Sequence, residues 1–181
     1  MEQKVNPWKA NLTNGLILGL IGIVYTLVIY FLNLTLNKTQ GWVFLLAQLV
    51  ILYFLLKSYR DNFMHGYLSY GQALGAGVII YLYYAVIMAV FTYILYAIID
   101  TGLVQKQLVY AEELMEKKGL AQAQIDAAMS IQKKIIKAPV LSVISIFSNM
   151  FVGLIISLII SAFVRKEGNP LIDSPEIQPE N

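Results

Sequence analysis

Cysteine is absent from the 181-residue chain, which excludes disulfides and all thiol chemistry. His65 is the only histidine, so neither a zinc site of the HExxH kind nor a His-centred triad can be assembled around it. Charge is scarce as well. Asp, Glu, Lys and Arg together make up 13% of the residues, about half the share of an ordinary soluble domain. None of them falls at mid-depth of a long apolar run, which counts against proton relays and ion-coupled pumps. The net charge of +2 is spread along the chain and gives no reason to propose nucleic acid as a partner. The glycine-rich stretch GQALGAG, residues 71–77, follows no strand and opens an apolar run, so its likeness to a dinucleotide fingerprint is spurious.

What the chain has instead is apolar length. Hydrophobic residues make up 58% of it and the mean hydropathy is +0.65. A bilayer-spanning helix needs roughly 20 apolar residues. Four stretches approach or exceed that: 12–32, the short 41–56, 71–99 and 139–164, the last closed by Arg165-Lys166. The first is too long for a signal-peptide core and ends without a small-x-small cleavage pattern. The sequence therefore predicts an all-α membrane protein with four transmembrane helices, residues 1–166, followed by a disordered tail at 167–181 rich in proline and acid.

Residues 101–138 form the one sizeable piece outside the spans. Val104, Leu108, Ala111 and Met115 recur at helical spacing, and Ile125, Met129, Ile135 and Ile136 form a second stripe before Pro139. This predicts an extramembrane amphipathic helical hairpin between spans three and four. An even number of spans places both termini on one side, together with Lys4, Lys9, Lys57, Arg60, Arg165 and Lys166. The positive-inside rule makes that side cytoplasmic and the hairpin periplasmic, although Lys133, Lys134 and Lys137 weigh the other way.

Small and polar residues mark the candidate contacts. Ser145, Asn149, Gly153, Ser157 and Ser161 form one stripe on the fourth span, with Gly15 and Gly19 on the first and Gly71 and Gly75 on the third. In lipid, such residues allow close helix packing, and Gly15, Gly19, Gly71, Gly75, Gly153 and Ser157 are the expected packing positions. A second reading makes Gln48, Gln72 and Asn149 the lining of a polar pathway. Ahead of the third span, Arg60, Asp61, His65, Tyr67, Tyr70 and Gln72 form an interfacial lip. With Asn149, they are the candidate ligand- or partner-binding residues. No catalytic set, metal site or cofactor is expected. An enzyme would have to draw an acid–base pair from Arg60, Asp61 and His65.

The run KSYRDNFMHGYLSYGQALGAG, the following span ending YILYAIID, the KKGLAQAQID turn and a last span closed by a basic pair resemble one family. It is the domain of unknown function 4199 family, small bacterial membrane proteins. Met64-His65-Gly66 stands where the family is more glycine-rich. The resemblance implies four spans, an inner-membrane location, no established activity and a link to envelope glycolipid assembly. The expectation is a non-catalytic scaffold or accessory subunit, with a membrane-protein partner or a second copy of itself. The alternative is a small transporter or flippase-like protein for lipid-linked substrates.

Overall fold

The computed structural model describes residues 5–167; Lys4 and the tail from Gly168 onward lie outside the described residues. Six α-helices follow one another: α1 (Pro7–Phe31), α2 (Lys38–Phe63), α3 (Tyr70–Ile94), α4 (Gly102–Lys117), α5 (Gln122–Ile135) and α6 (Ala138–Val164). A five-residue π-helical turn, Leu95–Ile99, prolongs α3. Helices α1, α2, α3 with its π turn, and α6 are each long and apolar enough to cross a membrane.

Local chemistry explains where the helices begin. The Asn6 side chain accepts from the Trp8 and Lys9 amides, ahead of Pro7 at the first position. Asn37 caps α2 through the Thr39 amide. Ser69 and Gln72 make a reciprocal capping box on α3. Helix α2 ends where His65 and Gly66 both turn left-handed, at φ +52° and +83°, with the Gly66 amide donating to Arg60 O at 3.0 Å.

The four long helices form a square. Helix α3 packs mainly against α1 and α6, and α2 also packs against α1 and α6. Helices α2 and α3 touch little and occupy one diagonal. Glycines set the closest approaches. A Cβ on Gly15 would come within 2.4 Å of Tyr83, one on Gly19 within 2.6 Å of Ile87, and one on Gly153 within 2.2 Å of the Tyr81 ring. Gly77 faces Ser157, whose Oγ would lie 2.6 Å from an added Cβ. The centre is filled by Leu18, Leu52, Leu56, Ile80 and Tyr81, all shut off from solvent. At the face holding the start of α1, two backbone hydrogen bonds join Leu68 and Lys166, tying the α2–α3 turn to the end of α6.

Three expectations need correcting. The second span is not the short stretch 41–56. Helix α2 runs through Lys57, Arg60 and Asp61 to Phe63, 26 residues in all, so the pair Arg60-Asp61 sits on a helix and not in a loop. The first span begins at Pro7, not Leu12, and buries two asparagines. Asn11 donates to Pro7 O at 2.9 Å and Asn14 to Asn11 Oδ1 at 3.2 Å. Gly71 and Gly75 are not packing glycines, because an added Cβ at either would meet nothing within 4 Å.

Helices α4 and α5 bury Leu108, Ile125 and Met129 against Val104, Ala111, Met115 and Ile136. At their root, Asp100 accepts from Lys106 Nζ at 3.2 Å, from the Gly102 amide at 2.9 Å and from the Tyr30 hydroxyl at 3.3 Å.

Candidate functional site

A stagger between two helices creates the main cleft. Gly15 lies against Tyr83 and Gly19 against Ile87, so α1 and α3 run parallel in a fixed register. In that register Pro7, the first residue of α1, falls level with Gly75. Helix α3 begins earlier, at Tyr70. At 1.5 Å per residue, α1 starts about 7 Å below the rim. The corner it leaves, between the end of α2 and the start of α3, is a cleft of about 940 Å³.

Its walls are Val5 and Pro7 below, Tyr59, Phe63 and Met64 from α2 and its turn, and Ala76 and Ile79 from α3. Asn62, His65 and Gln72 supply polar groups at the rim. Gly75 faces this space, which is why nothing stands near it. Asn62 Nδ2 donates to Ser58 Oγ at 3.0 Å, and Gln72 Oε1 accepts the Ser69 amide at 3.0 Å. Apolar walls with a few converging polar groups are the usual form of a small-molecule or peptide site.

The sequence-derived candidates divide around this cleft. His65 and Gln72 line it. Arg60 points elsewhere: Nη1 donates to Val164 O at 3.1 Å, closing the end of α6, while Nε pairs with Asp61 at 2.8 Å. Lys166 Nζ lies 5.5 Å above the Tyr67 ring. The Tyr70 hydroxyl donates to Leu158 O at 3.2 Å, on the α6 side of α3. Asn149 is on α6, near its middle. The expected polar pathway is interrupted. Gln48 is buried and donates to the Tyr84 hydroxyl at 3.0 Å. Tyr84 is twelve residues along α3 from Gln72, about 18 Å at helical rise.

The sequence reading missed Tyr59, Asn62, Phe63 and Ile79 as lining residues. Tyr59 and Phe63 are spaced i, i+4 and stack with centroids 6.0 Å apart. That spacing was the available signal, but it is visible only once α2 is known to continue past Leu56. Among the described residues no three His, Asp or Glu side chains gather as a metal site would require. A second, shallower cleft of about 400 Å³ lies at the far face, between the α1–α2 turn and Gln107, Tyr110 and Ile136.

Four apolar helices around a sealed core, with a wide belt of exposed Leu, Val, Ile and Phe, define a multi-pass α-helical membrane protein. More particularly, residues 13–166 match the family model described as Protein of unknown function (DUF4199), and the chain belongs to that family. No curated protein and no solved structure matches it.

Proposed function

We propose that this protein is a non-catalytic accessory subunit of a bacterial inner-membrane complex, in the setting of envelope glycolipid assembly. The cleft beside Gly75 is where its partner or an amphipathic ligand docks. One observation carries this reading: the bundle is sealed through its centre yet keeps a recessed, mostly apolar cleft at one face. A sealed centre suits binding better than passage. Lys9, Lys57, Arg60, Arg165 and Lys166 gather at the cleft's face, which supports a cytoplasmic mouth. The α4–α5 pair then forms a periplasmic hairpin over the opposite face.

The test is photo-crosslinking from Ile79 in native membranes, with Gly75→Phe as the blocking variant. A defined adduct that disappears in Gly75→Phe supports the proposal. The same adduct in both, or none in either, rejects the cleft as the docking point. The flippase-like alternative is read by lipid scrambling in proteoliposomes. Scrambling above that of empty vesicles would replace the accessory role with transport.

A further inference from the structure

Helix α5 has two apolar faces. One, made by Ile125 and Met129, packs on α4. The other carries Ala127, Ile131 and Ile135 and lies about 140° round the helix from the first. Ile131 is 58% exposed and Ile135 42%. Four residues apart, the two isoleucines make one continuous patch. Left in water, that patch forgoes the hydrophobic gain that a cover would bring.

Its position in the fold says what covers it. Helix α6 is 27 residues long, about 40 Å, and outreaches a hydrocarbon core of about 30 Å. Its first residue, Ala138, therefore sits in the headgroup layer, and Ile135 is three residues before it. At the other root of the pair, Ile98 and Ile99 are exposed where the third span ends. Between the two roots, α4 folds over the end of the bundle. Gln107 Nε2 donates to the Tyr96 hydroxyl, eleven residues back, whereas a straight continuation would carry it about 16 Å away. Tyr110 and Ile136 line one shallow cleft with the α1–α2 turn. The pair thus lies low over the membrane face. Charge agrees with this placement: Lys134 borders the isoleucine patch, Lys137 follows it, and no acid occurs between Asp126 and Glu167. Apolar side chains flanked by lysine suit a helix in the interfacial layer, where ammonium groups meet lipid phosphates. A protein partner would have to displace lipid already at that level.

We infer that the second half of α5 docks on the bilayer surface, with Ile131 and Ile135 at the acyl-chain boundary and Lys134 and Lys137 on anionic lipid phosphates. This surface is separate from the cleft beside Gly75. It holds for either orientation of the bundle, so it stands or falls apart from the accessory role.

The cysteine-free chain makes the test direct. Full-length protein carrying Ile131→Cys, Ile135→Cys or Ser130→Cys takes one nitroxide label in liposomes of phosphatidylglycerol and phosphatidylcholine. Ser130 is exposed and about 100° round the helix from Ile131, so it serves as the water-facing control. The readout is the ratio of collisions with oxygen to collisions with a water-soluble nickel chelate. It should be several-fold higher at Ile131 and Ile135 than at Ser130. Liposomes of phosphatidylcholine alone, or Lys134→Gln together with Lys137→Gln, should bring it down toward the Ser130 value. All these positions are exposed, so no variant disturbs a packed contact. Equal ratios at all three sites overturn the inference. Shielding of the isoleucine sites from both reagents also overturns it, because that marks a protein cover, a second copy included. A high ratio unmoved by lipid charge and by the lysine changes overturns the assignment to anionic lipid.

Discussion

At Gly153 the Tyr81 ring lies so close that even one methyl group has no room. Tyr81 is itself completely buried, so the clash cannot be relieved outward. Gly153→Ala is therefore expected to destabilise the bundle by about 1–3 kcal/mol, the usual cost of overpacking. Gly75→Ala faces open cleft and should be neutral or stabilising by about 0.5–1 kcal/mol, since alanine is the better helix former. Unfolding of the two variants by steric trapping in bicelles checks the contrast. The sequence made these two glycines look equivalent, because each sits in a small-residue stripe on an apolar helix. What separates them is the residue opposite, which is a matter of tertiary register. His65 shows the same limit. Its left-handed backbone follows from its place after the end of α2, and composition alone gives no sign of it.

Elements were far easier to read than their ends. Four apolar runs and the two amphipathic stripes are all helical, because hydrophobic length and periodicity respond directly to bilayer thickness and helix pitch. The end of α2 was misplaced because Lys57, Arg60 and Asp61 interrupt the hydropathy. Helix formation tolerates them. Tyr59 is buried between them, and Arg60 reaches across to α6. The root of α4 offers a pH test. Hydrogen bonding from Lys106, before its charge and the contacts from Gly102 and Tyr30, holds the Asp100 carboxyl below its ordinary value of 3.8. A depressed carboxyl contributes its stability above the unfolded value and loses it as pH falls through the folded one. Protection factors of the amides at residues 100–106, which are corrected for the intrinsic pH dependence of exchange, should therefore be high at pH 7 and fall below about pH 4. Asp100→Asn should remove most of that dependence.

For the whole molecule, the cleft was the least legible feature. Its two polar candidates, His65 and Gln72, were identifiable from sequence as part of an interfacial lip. The space between them comes from α1 starting about 7 Å below α3. That offset is fixed by contacts between residues more than sixty positions apart, Gly15 with Tyr83 and Gly19 with Ile87. No local pattern encodes such an offset. Filling the cleft with Gly75→Phe should thus abolish docking and leave the bundle intact, read as unchanged thermal stability alongside the lost adduct.

The packing of α6 on α3 also sets a timetable for synthesis. The most extensive contact in the bundle joins the third long helix to the last, across the intervening α4 and α5. Until residues 153–164 emerge, the Gly77–Tyr81 face of α3 has no cover, and a nascent chain holding three helices shows lipid the surface it later hides. The Leu68–Lys166 hydrogen bonds can close only after residue 166 has emerged. Chains stopped before Gly153 should be recognised as unfinished and degraded within minutes in pulse–chase labelling, while chains ending just after Lys166 should persist.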